Sequence, residues 1–203
     1  KMIASILPTY SRAPLTFVSG EGSWLVEQDG RRFLDLGAGI AVNALGHAHP
    51  ALVAALTEQA GALWHVSNLY NIPTQQQLAD ALVDQTFADT VFFTNSGSEC
   101  ADTSLKMARA YWRLKGQPAK TKLIGRAKGY HGVNFGGISV GGIGANRKLF
   151  GTAVDADHLS HTLLAENRFT RGMPSHGWHL ADELSELIAL HDASNIAAVI
   201  VEP

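Results

Sequence analysis

The stretch Val91-Phe-Phe-Thr-Asn-Ser-Gly-Ser-Glu99 decides the fold, because a short apolar run ends abruptly in hydroxyls and a glycine. The pattern predicts a buried strand that reaches the edge of a sheet, with a helix directly after it. Ser96 and Glu99 have the Ser-x-x-Glu spacing of a capping box, which places the helix start here. Gly97 lets the backbone turn closely, and the free N–H groups of a helix start attract an anion. The stretch predicts either a phosphate-binding turn or simply a capped helix after a buried strand.

The residues after this turn have the 3.6-residue period of an amphipathic helix. Leu105, Ala108 and Trp112 recur on one face, which predicts that this face is buried. The opposite face is polar and is expected to meet water; it carries Asp102, Lys106, Arg109 and Arg113.

The first part of the chain predicts an antiparallel segment. Three short apolar runs are separated by turn residues, and the dipeptide Asp29-Gly30 is a strong hairpin signal. The predicted strands are residues 15–18, 23–27 and 32–35. Helices should then begin at Pro50 and at Pro73, because proline suits the first helical turn. The second of these helices should bury Leu78 and Leu82.

The later part of the chain predicts an α/β fold with a partial parallel sheet. Residues 122–125 read as one sheet strand, and leucines from Leu180 to Leu187 mark a later helix. Residues 196–201 are apolar on both faces, as in a strand of a covered parallel sheet. Glu202 follows at the carboxyl end of that strand, where open α/β sheets bind ligands, so a functional role is favoured for it.

Composition excludes several classes of function. The chain has 203 residues, 46% hydrophobic and 17% charged, which is enough to bury a substantial core. A net charge of −2 and a pI near 6.5 give no reason to expect a nucleic-acid or membrane partner. The single cysteine, Cys100, excludes an internal disulfide framework and suits a reducing cytoplasm, and we expect it to be a small buried core residue. We therefore expect a cytoplasmic protein.

Two groups of residues invite other interpretations. His47, His49 and His65 suggest a metal site, but no cysteine or carboxylate set accompanies them, so we predict no metal. The glycines between Gly136 and Gly144 lack the spacing of a dinucleotide-binding fingerprint and are better explained as tight, close-packed turns.

Three further motifs make the opening stretch part of an ordered series. They are Leu36-Gly-Ala-Gly-Ile-Ala-Val-Asn-Ala-Leu-Gly-His-Ala-His-Pro50, Gly129-Tyr-His-Gly132 and Val201-Glu-Pro203. With these motifs in this order, the chain resembles the class III aminotransferases over essentially its whole length. The resemblance implies an α/β fold of the fold type I class and pyridoxal 5'-phosphate as the cofactor.

The resemblance also implies roles for particular residues. In that family the Ser-Gly-Ser/Thr turn holds the cofactor phosphate through backbone amides, and the aromatic residue of the Tyr-His-Gly motif stacks on the pyridine ring. We expect the carboxylate within the third motif to lie near the ring or its polar partners. In this chain the phosphate role falls on Ser96, Gly97 and Ser98, the ring role on Tyr130 with His131 beside it, and the carboxylate role on Glu202.

Two subfamilies share the resemblance. Residues 1–95 are similar to acetylornithine aminotransferase, whereas residues 98–203 are similar to omega-amino acid:pyruvate (beta-alanine:pyruvate) aminotransferase. Acetylornithine enzymes typically carry an arginine directly after the Phe-His-Gly motif, where it binds the substrate α-carboxylate. Val133 occupies this position and cannot form that ion pair, which favours the omega-aminotransferase interpretation.

The family places its Schiff-base lysine, and the aspartate that pairs with the pyridine nitrogen, after the Val-Glu-Pro motif, so neither has a matching position in this sequence. We therefore expect part of a longer homodimeric enzyme that transfers an amino group from an omega-amino acid or amine to a keto acid such as pyruvate. Residues 1–72 would belong to the small domain or dimer arm, and residues 73–203 to the cofactor-binding large domain. The alternatives are acetylornithine aminotransferase and a non-catalytic fragment of this fold.

Overall fold

The computed structural model describes residues 5–202, and the chain divides into two compact units that meet in sequence between Ala81 and Leu82. The first unit contains a three-stranded antiparallel sheet in the order β1-β2-β3. Its elements are β1 Phe17–Glu21, β2 Trp24–Glu27, β3 Arg32–Leu34, the short α1 Ala38–Ala41, α2 Pro50–Ala62 and most of α3 Pro73–Gln85. The predicted antiparallel segment is confirmed, although β1 starts two residues later than predicted.

Turn chemistry explains the hairpin between β2 and β3. Gly30 has φ +89°, a conformation that side chains disfavour, and its N–H donates to the carbonyl of Glu27 at 2.8 Å. Both predicted helices begin at their prolines. Leu78 and Leu82 are not buried, however, since they are 52% and 38% exposed.

A polar cluster holds the loop after β3. Asp35 Oδ2 lies 2.8 Å from His47 Nε2, and its Oδ1 accepts from the backbone N–H groups of Gly37 and Ala38. The hydrogen bond from His47, followed by that from the Ala38 amide, lowers the pKa of Asp35. His47 therefore has a structural role in this loop.

The second unit is built on a three-stranded parallel sheet in the order β5-β4-β6. Its elements are α4 Gly97–Leu114, β4 Lys122–Arg126, α5 Phe135–Val140, α6 Gly144–Lys148, β5 Ala156–Leu159, α7 Glu183–His191 and β6 Ile196–Val199, with short 3-10 turns at Ala165–Asn167, Trp178–Asp182 and Ala193–Asn195. No helix within residues 5–202 combines the length and apolarity that crossing a membrane requires.

The core of this unit lies where α4 and α5 pack on the sheet. Leu105, Leu123, Val140 and Ala197 form its buried cluster, so the predicted inward face of α4 is confirmed at Leu105. Trp112 on the same face donates its indole N–H to the carbonyl of Ala197 at 2.7 Å. The parallel sheet predicted for this part of the chain is confirmed.

Two expectations for this unit are wrong. Residues 91–93 belong to no strand of the structure, because the run pairs with no other strand among residues 5–202. Asp102 does not face open water, because its carboxylate accepts a 3.2 Å hydrogen bond from the N–H of Gly137, which joins α4 to the first turn of α5.

A charged cluster lies at the amino end of the parallel sheet. Lys122 Nζ contacts Asp155 Oδ1 at 2.7 Å and Asp157 Oδ2 at 3.2 Å, and His191 Nε2 lies 2.5 Å from Asp157 Oδ2. Burial opposes the ionisation of Asp157, but the hydrogen bond and charge of Lys122, with help from His191, hold the pKa of Asp157 below its ordinary value of 3.8.

This cluster predicts an acid-dependent stability. A carboxyl whose pKa is lowered by folding adds stability above its unfolded pKa and loses it as the pH falls through its folded pKa. We expect the free energy of unfolding to fall as the pH is lowered from about 5 toward 2, and to fall less steeply in Asp157→Asn. Urea unfolding of both proteins at several acidic pH values measures the two slopes. Equal slopes would show that Asp157 has no part in this dependence.

Candidate active site

The start of α4 presents backbone amides to open space. Ser96 caps the helix by accepting from the N–H of Glu99 at 3.3 Å, and Glu99 Oε2 accepts from the N–H of Asn95 at 2.7 Å. The capping box is confirmed, although its carboxylate reaches one residue further back than the usual pattern. No described residue accepts a hydrogen bond from the amides of Gly97 or Ser98, and a Cβ on Gly97 would meet no atom within 4 Å. This helix start can therefore accept an anion.

Ser98 connects this helix start to the loop that carries Tyr130. Its Oγ accepts from the backbone N–H of Val133 at 3.0 Å. Gly132, with φ +98°, packs directly against Ser98, and a Cβ on Gly132 would lie 2.5 Å from Ser98 Oγ. Only glycine fits this approach without displacement, so the Tyr-His-Gly motif lies against the serine-glycine turn.

Tyr130 follows a turn at the carboxyl end of β4. The N–H of Gly129 donates to the carbonyl of Arg126 at 3.0 Å, and Lys128 between them adopts a left-handed conformation with φ +69°. The N–H of Tyr130 then donates to Glu202 Oε2 at 2.7 Å. Tyr130 is 47% exposed, so the residue is accessible to a ligand.

His131, next to this tyrosine in sequence, is partly buried. Its Nε2 is buried and has no hydrogen-bond partner among the described residues. Burial lowers the pKa of His131, with a smaller opposing effect from the charge of Glu202. The imidazole is therefore neutral at pH 7, which suits a packing role next to the ring site better than a charged one.

Three segments far apart in sequence thus meet at one edge of the parallel sheet. The structure brings together the residues predicted for the site, namely Ser96, Gly97, Ser98, Tyr130, His131 and Glu202. Their positions agree with the rule that open α/β sheets bind ligands outside the carboxyl ends of their strands.

Sequence reasoning missed two residues at this edge. Arg126 ends β4, and its guanidinium Nη2 donates to the backbone carbonyl of Glu202. Asp102 accepts from the backbone of α5. Arg126 could have been found from its position directly after the predicted strand 122–125. Asp102 could have been found from the glycine pair Gly136-Gly137, which leaves room for its carboxylate.

Other reactive residues give no second centre. Among the described residues, no three histidine, cysteine or acidic side chains are grouped so that they could hold a metal ion. Cys100 is exposed, with its Sγ 2.9 Å from Thr94 Oγ1, so the expectation of a buried core cysteine is wrong.

Known proteins match this chain along its length. Residues 7–203 match the family described as Aminotransferase class-III. The chain is 54% identical over 198 residues to a beta-alanine--pyruvate aminotransferase of Pseudomonas aeruginosa, covering 96% of this chain and 44% of that protein. It is 61% identical over 150 residues to an acetylornithine aminotransferase of Rhodobacter capsulatus, covering 74% of this chain and 38% of that protein.

The fold also matches solved structures. A PLP-bound amine transaminase from an uncultivated Pseudomonas species superposes with a TM-score of 0.84 at 33% identity, covering 100% of this chain and 47% of that one. The chain thus spans less than half the length of the relatives it matches. The ordered motifs, the fold type I architecture and the match from residue 7 to residue 203 together mean that the chain belongs to the class III aminotransferase family.

Proposed function

We propose that this chain supplies the phosphate-binding turn and the ring-stacking residue of a pyridoxal phosphate site. The observation that carries the proposal is the pair of amides on Gly97 and Ser98, which have no acceptor among residues 5–202 and lie beside open space. A phosphate is the anion that such a helix start binds best, through its N–H groups and the helix dipole.

The pyridine ring of the cofactor would lie at the same edge of the sheet as the phosphate. Tyr130 has a partly exposed aromatic face, and its backbone is fixed by Glu202 on one side of the motif. On the other side, the hydrogen bond from Val133 to Ser98 ties the loop to the phosphate turn. These two hydrogen bonds fix the spacing between the backbone that carries the phosphate donors and the backbone that carries the stacking residue.

The chemistry is divided between cofactor and protein. When bound, pyridoxal phosphate supplies an electron sink for carbanion chemistry at the amine carbon. In this chain, Gly97 and Ser98 would anchor the phosphate, and Tyr130 would orient the ring by stacking. Glu202 holds the Tyr130 backbone in place. His131, neutral at pH 7, would fill the space beside the ring without adding charge to it.

We further propose transfer of an amino group from an omega-amino acid or amine to a keto acid such as pyruvate. The names of the beta-alanine and omega-amino acid relatives support this reaction. Val133 supports it from the structure, because this exposed apolar residue lies beside Ser98 and cannot pair with an α-carboxylate. The 61% identity to an acetylornithine aminotransferase makes acetylornithine the competing donor.

The rest of the proposal concerns assembly. Residues 1–72 would form the small-domain or dimer arm and residues 73–203 the cofactor domain of a cytoplasmic homodimer. The exposed apolar side chains of α2 support the dimer, because such a face on a helix normally meets another surface. They include Leu52, Val53 and Leu56.

Donor preference tests the proposed function. The full-length protein, loaded with pyridoxal phosphate and given pyruvate, should form alanine faster with beta-alanine than with acetylornithine. Val133→Arg should lower the ratio of the beta-alanine rate to the acetylornithine rate by about 10-fold. The guanidinium would add one charge-assisted contact to the α-carboxylate of acetylornithine. Val133→Met serves as a control for side-chain size. A parent protein that prefers acetylornithine would overturn the proposed donor.

A further inference from the structure

Arg126 ends the central strand of the parallel sheet at the edge where Tyr130 and Glu202 meet. Its guanidinium Nη2 donates to the backbone carbonyl of Glu202. Its own carbonyl accepts from the N–H of Gly129 at 3.0 Å, which closes the turn before Tyr130. One residue therefore contacts both chain segments that come together at the proposed ring site.

The contact from Arg126 matters for Glu202 because the hydrogen bonds of the sheet end before this residue. The last ladder-type hydrogen bond of this segment runs from the N–H of Ile200 to the carbonyl of Ile124 at 2.8 Å. Beyond it, the contacts that fix Glu202 within residues 5–202 are the one from Arg126 and the 2.7 Å hydrogen bond from the N–H of Tyr130. If Arg126 releases the Glu202 backbone, the carboxylate can leave Tyr130.

We infer that Arg126 is a positioning residue for the cofactor ring, acting through Glu202 on Tyr130. A guanidinium suits this task because it stays charged and its planar fork loses less freedom on binding than an ammonium does. Its contact is to a backbone carbonyl, so the effect does not depend on the charge of the Glu202 side chain. The inference rests on the proposed function, because the position of Tyr130 matters to a ligand only if the ring stacks there.

A double-mutant cycle in the full-length protein tests this inference. The dissociation constant of pyridoxal phosphate is measured by absorbance titration for the parent, Arg126→Met, Glu202→Leu and the double variant. Each single change should weaken binding about 10-fold, the effect of losing one charge-assisted hydrogen bond. The double variant should also lose about 10-fold and not about 100-fold, because both changes remove the same support.

Controls separate positioning from folding. Arg113→Met, which removes an exposed arginine of α4 with no ion pair in the described part of the chain, should bind like the parent. The cofactor-free Arg126→Met and Arg113→Met proteins should unfold at the same temperature. If Arg126→Met does not fold, Arg126→Lys replaces it in the cycle. This variant alone should bind about 3-fold more weakly, and combined with Glu202→Leu it should lose no more than the about 10-fold that Glu202→Leu loses alone.

The outcomes distinguish the inference from the proposed function. Parent-like binding by Arg126→Met, or an additive loss of about 100-fold in the double variant, would overturn the positioning role while the parent still binds the cofactor. A parent that does not bind pyridoxal phosphate would overturn the proposed function, and the inference with it.

Discussion

Gly97→Asp is expected to lower the affinity for pyridoxal phosphate about 100-fold while leaving the cofactor-free protein at least as stable as the parent. The new carboxylate would enter the open space beside the Gly97 and Ser98 amides, where it repels the phosphate and competes for the same N–H groups. In the absence of cofactor, an acidic residue in the first turn of α4 interacts favourably with the helix dipole, and the helix loses a flexible glycine. Affinity and stability should therefore change in opposite directions.

Gly97→Asn is the matched control for this variant. Asparagine has nearly the size of aspartate but carries no charge, so its effect on affinity isolates the steric part of the loss. Absorbance titration gives the affinities, and urea unfolding of the cofactor-free proteins gives the stabilities. A Gly97→Asp protein that binds the cofactor as the parent does would contradict the proposed phosphate site. One that is unfolded would contradict the expected stability.

Leu123→Ala should lower the free energy of unfolding by about 3 kcal/mol, because it removes buried methyl groups and leaves a cavity. Leu123 is 0% exposed on the central strand and packs in the cluster with Leu105, Val140 and Ala197. The same strand ends at Arg126 and leads to Tyr130, so loss of packing at this point also loosens the ring site. Urea unfolding measures the change in stability.

Leu190→Ala on α7 is the control, because this leucine is 74% exposed. Its replacement should change the free energy of unfolding by no more than about 0.5 kcal/mol. If both leucine variants lose the same stability, the core does not lie where α4 and α5 cover the sheet.

Local signals allowed much of the site to be predicted. The cap at Ser96 and Glu99 depends on residues three apart, and the hairpin at Gly30 depends on one dipeptide. Such contacts depend on a few neighbouring residues and can be predicted from the sequence. The positions of the Tyr-His-Gly motif and of Glu202 followed from the family resemblance together with the rule for carboxyl edges of parallel sheets.

Contacts between distant segments explain what could not be predicted. Arg126 and Glu202 are 76 residues apart, and neither carries a local pattern that indicates the other. Strand β5 was missed because Asp157 and His158 interrupt its apolar pattern; in the folded chain Asp157 pairs with Lys122, and His158 contacts the carbonyl of Gly141. Conversely, Val91–Phe93 has the apolar pattern of a strand but has no ladder partner among residues 5–202.

The central claim is that the Gly97 and Ser98 amides bind the cofactor phosphate, and the most direct test compares pyridoxal phosphate with pyridoxal. Both dissociation constants are measured for the full-length parent and for Gly97→Asp. The parent should prefer the phosphorylated form by at least about 100-fold, and the variant should lose most of that preference while binding pyridoxal nearly as before. An undiminished preference for the phosphorylated form in Gly97→Asp would place the phosphate elsewhere and contradict the account.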